Sequence, residues 1–388
     1  MNSITQHIKK VALAGLIPVM LTACFKDNPF PLYGNKPSAV INYTFAATAD
    51  TMQDKTYAAF ISANGNYFKQ NNTGSTNYNY WPQAHTMDAF IDAYLRTKND
   101  IYKQRMKSLL NGTRISNGNK LQNEYYDDME WLALATLRAY EATNDADYLS
   151  AANTLWTDIK TGVNSNQGGG IAWRKSQLDY KNTPANAPAI IFAARLYILQ
   201  KNEADLTLAK ELYTWLKGKL VDPSSGIVYD GINGDGDGKI SYNKFTYNQG
   251  TFIGAALELY NATGDAGYLA DAVRTASATI KDLDISPGGL LKSEGDGDGG
   301  LFKGILVRYL TLLTLKEDVS STDRDAYAKF LKYNAETLFA KGILRPDFVV
   351  GPDWKTMPKA NNGTDLTTQI SGLTTLEAAA TLKAAGKF

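Results

Sequence analysis

Residues Thr136–Leu149 read TLRAYEATNDADYL, and residues Ala256–Leu269 read ALELYNATGDAGYL. Eight of the fourteen positions are identical, at an offset of 120. Apolar residues recur at helical spacing through the first half of each copy and far beyond it. Met87, Phe90, Ile91, Tyr94 and Leu95 keep the spacing, as do Met129, Leu132, Ala133, Thr136, Leu137 and Tyr140. Similar stripes run through 190–198, 252–260, 301–313 and 370–382. Several are apolar on more than one face, as in helices buried on most sides. Between them lie more polar helical segments, at about 52–66, 99–110, 147–161, 204–219, 266–283 and 322–340. Strand signals are sparse. Six buried helices thus alternate with six more exposed ones, and the offset of 120 equals two helix pairs. A repeated helix pair cannot bury its apolar face alone, so the pairs must stack. The expected fold is all-α: six pairs closing into an (α/α)6 barrel, with an open superhelix as the alternative. Irregular connections, with long polar loops on one side only, favour closure.

The composition narrows the chemistry. The 388 residues carry 40 Lys plus Arg and 39 Asp plus Glu, a formal net charge of +1. Nucleic-acid binding needs a basic excess to neutralise phosphates, so it is not expected. Hydrophobic residues at 44% argue against disorder. His7 and His85 are the only histidines and Cys24 the only cysteine. That excludes a histidine-rich zinc site, a Cys–His nucleophile pair and an internal disulfide. Catalysis must come from carboxylates, hydroxyls, amides and aromatics, and no metal or other cofactor is expected. The 23 Tyr, 14 Phe and 6 Trp suit sugar rings, and suit core packing equally well.

The first 24 residues read as an address. Lys9 and Lys10 precede an apolar run, Val11 to Leu21, that is too short to span a bilayer. Leu21-Thr22-Ala23-Cys24 resembles the lipobox of bacterial lipoproteins, in which the cysteine is acylated and becomes the new N-terminus. Residues 25–45, with Pro29, Pro31 and Pro37, read as a tether, and 46–388 as a single catalytic domain. The expectation is a monomer, lipid-anchored in the bacterial cell envelope at the outer membrane, on its periplasmic or its surface face.

A polar or aromatic cluster stands before each buried helix. The clusters begin at Tyr80-Trp81, Tyr125-Tyr126-Asp127-Asp128, Asn182, Tyr247-Asn248-Gln249, Asp296 and Asp365. In a closed barrel the buried helices are parallel, so all six clusters meet at one mouth and form a candidate ligand site. Asp, Asn and Thr before a helix are ordinarily caps. A cap, however, does not call for Trp81, Tyr126 or Tyr247 beside it. Asp127 and Asp128 are the strongest candidates for chemistry. Glycoside hydrolysis uses two carboxyl groups, one charged and one protonated, and neighbouring buried carboxylates push their pKa values apart. Residues 233–238, Asn-Gly-Asp-Gly-Asp-Gly, resemble the start of a calcium loop. Lys244 stands where the bidentate Glu would be, so a solvated turn is the expected state, with calcium the alternative.

Tyr125-Tyr126-Asp127-Asp128-Met129-Glu130-Trp131 resembles the paired-aspartate motif of glycoside hydrolase family 76, the α-1,6-mannanases. Gly168–Arg174 with Lys181–Asn186, Tyr247–Gly250, and Asp298–Gly304 resemble three further blocks of that family, in the same order. The likeness runs from about Ala39 to the C-terminus. It implies an (α/α)6 barrel and endo-cleavage of α-1,6-linked mannan, such as the backbone of fungal cell-wall mannan, with retention. Carried over by position, Asp127 matches the nucleophile and Asp128 the acid/base. Trp81, Tyr126, Trp173, Tyr247 and Phe302 are candidate sugar platforms. Asn186, Asn248, Gln249 and Asp298 are candidate hydroxyl partners, and His85 is a further substrate-binding candidate, with a satisfied hydrogen-bonding residue as the alternative. Two other functions compete. One is a surface glycan-binding lipoprotein that kept the barrel and lost the chemistry. The other is an enzyme of the unsaturated-glycuronide hydrolase kind, which would want a basic subsite where only Arg174 and Lys303 lie near.

Overall fold

The computed structural model describes residues 44–359 and 363–388. Cys24, the lipobox and the tether as far as residue 43 lie outside the described residues. Among the described residues the chain forms twelve α-helices: α1 (Phe45–Phe60), α2 (Tyr80–Thr97), α3 (Ile101–Ser116), α4 (Tyr126–Thr143), α5 (Ala146–Ile159), α6 (Thr183–Gln200), α7 (Glu203–Leu220), α8 (Thr246–Thr263), α9 (Ala266–Thr279), α10 (Gly299–Leu315), α11 (Ser321–Thr337) and α12 (Leu366–Ala384). The even-numbered helices are the six apolar segments. Each packs on the next, and α12 packs back on α2, so the inner ring closes. The odd-numbered helices lie outside it, α3 on α2 and so on round to α1 on α12. The fold is an (α/α)6 barrel, and the α12–α2 contact excludes the open superhelix.

The internal repeat is the turn from an inner helix to its outer partner. Asn144 ends α4 in the left-handed conformation (φ 58°), and Asp145 caps α5 by accepting the Asp147 N–H. Gly264 (φ 72°) and Asp265 do the same between α8 and α9. Left-handed residues of this kind free the last carbonyls to be capped and let the chain reverse. Inner helices also meet at glycines. A Cβ on Gly250 would stand 2.5 Å from the Leu306 Cα, so α8 and α10 touch backbone to backbone there.

The first polar helix lies earlier than its predicted span of 52–66. Thr44 caps it by accepting the Ala47 N–H, and the Asn64–Gly65 turn stops it from reaching 66. A small antiparallel sheet also departs from expectation. It runs β1 (Ala172–Arg174), β2 (Gln177–Asn182), β3 (Gly231–Ile232), β4 (Ile240–Ser241) in that order. It packs against α4 and α6 at their N-terminal ends. The acidic loop 233–238 is its β3–β4 turn, with Asn233 Oδ1 accepting the Gly238 N–H at 2.7 Å and Asp237 paired to Lys239. Among the described residues no group of three or more Asp, Glu, His or Cys is placed to hold a metal ion.

Candidate active site

The six inner N-termini converge as the parallel arrangement requires. Those of α2, α4, α6, α8 and α10 open into a cleft of about 500 Å³, walled on one side by the sheet. Trp81, Asp127, Asp128, Trp173, Tyr247, Asp298 and Phe302 all line it. The other five sequence candidates do not. His85 is buried one turn below Trp81, its ring 4.8 Å from that of Trp131, and burial lowers its pKa to about 3. It is therefore a neutral packing residue. Tyr126 turns outward, with its hydroxyl on Thr161 and its ring against Gly162. Asn186 pairs with both backbone groups of Ile171, at 2.8 and 3.1 Å. Gln249 pairs likewise with Val228, and Gln83 with Phe68. Each amide holds an incoming segment as a neighbouring strand would, which satisfies buried backbone groups that have no ladder. Asn248 is buried beneath the cleft and donates to Asp230 at 3.1 Å.

The aspartate pair sits in the first turn of α4. Asp127 Oδ1 accepts the Asp128 N–H at 2.9 Å, and its Oδ2 accepts the Trp173 indole N–H at 3.0 Å. Asp128 has a weaker partner, the Asn123 amide at 3.3 Å. Burial raises both pKa values. Asp127 rises to about 7, with the Asp128 amide and the Trp173 indole pulling it back down. Asp128 lies well above its ordinary value, through burial first and then the charges of Asp127 and Asp298. The pair titrates as a unit, and in its singly protonated form the two hydrogen bonds place the charge on Asp127. One carboxylate aimed at a bound ring and one proton donor beside it are what glycosidic cleavage requires. Trp173→Phe removes a donor to the ionised form of Asp127. The acid limb of a kcat/KM–pH profile is expected to move to higher pH by about half a unit or more, the alkaline limb staying near its parental place.

Two wall residues had no signal in the sequence. Asp230 accepts from Asn248 at 3.1 Å and from the hydroxyls of Tyr180 and Tyr247 at 3.5 Å. Asp230 and Tyr180 both line the cleft, and only the sheet brings them there. Tyr247 and Phe302 stack at 3.8 Å with their planes 3° apart, making one thick aromatic wall. None of the lining residues is Lys or Arg. Arg174 stacks on Trp173, and Lys303 is buried with its ammonium on the Pro352 carbonyl and over Trp354. The basic subsite that a uronic acid would want is not built into this cleft.

A model of glycosyl hydrolase family 76 matches residues 43–387. Among solved structures, an inactive variant of the α-1,6-mannanase GH76A of Salegentibacter sp. HEL1_6, with two aspartates changed to asparagine and α-1,6-mannotriose bound, is 44% identical. It superposes with a TM-score of 0.84 over 87% of this chain and all of that one. The Lin0763 protein of Listeria innocua is 36% identical, with a TM-score of 0.81 over 88% of this chain and 99% of that one. Among curated proteins, the mannan endo-1,6-alpha-mannosidase DCW1 of Candida glabrata is 30% identical over 212 residues. That match spans 48% of this chain and 46% of the relative, so the likeness covers just under half the length of that protein. With the family model spanning nearly every described residue, the chain belongs to glycosyl hydrolase family 76.

Proposed function

We propose that this protein is an endo-acting α-1,6-mannanase that works by double displacement with retention. The observation that carries the reading is the unequal aspartate pair in an aromatic cleft lined by no cation. An uncharged hexose polymer fits such a wall: aromatic faces cover the C–H face of each ring, and carboxylates such as Asp230 accept from its hydroxyls. Relatives named for α-1,6-mannan cleavage support the same substrate. In the first step an ionised Asp127 oxygen attacks the anomeric carbon. The bond to the glycosidic oxygen breaks, and that oxygen takes the proton of Asp128. In the second step water attacks the anomeric carbon, gives its proton to Asp128 and releases Asp127. On unbranched α-1,6-mannan the expected product is a ladder of manno-oligosaccharides. Mannose as the sole early product would overturn the endo reading, and intact polymer would overturn the activity.

We further propose that the chain is held in the bacterial cell envelope through acylated Cys24, at the outer membrane. Labelled palmitate is expected to enter the full chain made in a Gram-negative host and to be absent from Cys24→Ser. Equal labelling of the two sinks the anchor.

A further inference from the structure

The barrel places a third carboxylate across the mouth from the aspartate pair. The inner ring runs α2, α4, α6, α8, α10, α12, so α10 stands opposite α4. Asp298, immediately before α10, lines the same cleft as Asp127 and Asp128. The Trp81 indole N–H holds its Oδ1 at 2.9 Å, reaching from α2 past the start of α12. The carboxylate is therefore fixed in place.

We propose that Asp298 is a positioning residue whose charge, held across the mouth by Trp81, keeps the proton on Asp128 until the leaving oxygen takes it. This rests on the mannanase reading above and adds a part to it. The other anion beside Asp128 is Asp127, the stronger influence of the two, but its charge is consumed as it bonds to the anomeric carbon, so Asp298 is the anion that stays. On α4, Glu130, fully buried one turn deeper, has a carboxyl that burial keeps protonated. From the α2 side come the phenols of Tyr78 and Tyr80, both pushed further from ionisation by burial. From the sheet come Trp173 and Asp230, and Asp230 is itself raised by burial. The nearest cations are turned aside: Arg174 lies against the Trp173 ring, and Lys175 pairs with Asp158 at 2.6 Å. A fixed anion facing a buried carboxyl favours its protonated form, because like charges in a confined cleft repel strongly.

Asp298→Asn tests this through the pH profile of kcat/KM on α-1,6-mannan. Removing the charge makes both aspartates easier to ionise. Both limbs are expected to move to lower pH by about half a unit or more. Asp298→Glu restores a carboxylate and is expected to bring the limbs back toward the parental profile. Limbs that stay in place in Asp298→Asn while KM rises overturn the proposal and leave Asp298 a sugar-hydroxyl partner. Limbs displaced equally in Asp298→Asn and Asp298→Glu overturn it too, because geometry and not charge is then the cause. If the parent does not cleave mannan, the mannanase reading fails separately. The same comparison is then made by NMR titration of carboxyl-labelled aspartates, where unmoved Asp127 and Asp128 resonances in Asp298→Asn overturn the proposal.

Discussion

Asp127→Asn is expected to lower kcat on α-1,6-mannan by about 10⁴-fold or more, as losses of a nucleophile generally do. The side chain keeps its shape. The carboxylate accepts the Asp128 N–H on Oδ1 at 2.9 Å and the Trp173 indole on Oδ2 at 3.0 Å; the single amide oxygen keeps one of these bonds and gives up the other, at a cost of about 1 kcal/mol. The loss is therefore chemical and not a collapse of the site. A second effect of opposite sign accompanies it. Burial raises the folded-state pKa of Asp127 to about 7 from an ordinary 3.8. A carboxyl raised on folding costs nothing below its unfolded pKa. It costs progressively more as pH rises through the window from 3.8 to about 7, and the full amount above it. The variant should thus melt a few degrees above the parent at pH 8, by roughly 2 °C per kcal/mol recovered, with the gap closing toward pH 4. Thermal unfolding at the two pH values, run beside the activity assay, checks both halves. A variant that is inactive and also less stable at pH 8 contradicts the assignment of Asp127 as a strained, functional carboxylate.

Arg138→Met is expected to have the largest effect on stability, a loss of about 3–5 kcal/mol, as for a buried ion pair broken on one side. The end of the barrel opposite the cleft holds a chamber of about 760 Å³. It is lined by ion pairs from the C-terminal halves of the inner helices. Arg138 on α4 reaches Asp88 and, at 2.7 Å, Asp92 on α2, while Arg308 on α10 holds Asp92 at 2.7 Å. Arg195–Glu258 and Arg96–Glu377 continue the ring at 2.6 and 2.7 Å. Carbonyl ends of parallel helices converge here, and arginines are the natural counter to their partial negative charge. Burial pushes Asp88 up, yet Arg138 and then Arg308 outweigh it and hold the carboxyl below its ordinary value. Such a group contributes stability that is present above its unfolded pKa and is lost as pH falls through the folded pKa. The gap between parent and variant should accordingly be full at pH 7 and shrink below about pH 4. Melting temperatures at pH 7 are expected to differ by about 6 °C or more. Arg138→Met combined with Asp88→Asn should recover part of the difference, because the buried carboxylate left with only Arg308, at 3.9 Å, is then gone. Equal melting temperatures for parent and Arg138→Met would show that the basal ring does not hold the barrel together.

The inner helices were legible because burial on every side writes itself as long apolar runs, from Met87 in α2 to Leu382 in α12. The aspartate pair was legible as adjacent acids beside aromatics in a segment that had to begin a helix. The sheet was not, because its strands are two to six residues long and pair across as many as 51 positions, Lys181 with Ile232. Asp230 and Tyr180 went unseen with it. Asn186 and Gln249 lie in the first turns of α6 and α8 but stay out of the cleft: polarity at a helix start serves two ends, and theirs is to hold incoming backbone. Tyr126 shows the limit of counting along a helix start: one residue, about 100° of turn, separates a side chain facing out from Asp127 facing in.

The most direct measurement of the central claim is proton NMR of the first reducing ends released from α-1,6-mannan, before mutarotation mixes the anomers. Double displacement through Asp127 predicts that the α-anomer appears first and the β-anomer only later. First appearance of the β-anomer would mean a single displacement by water, and Asp127 would not be the nucleophile.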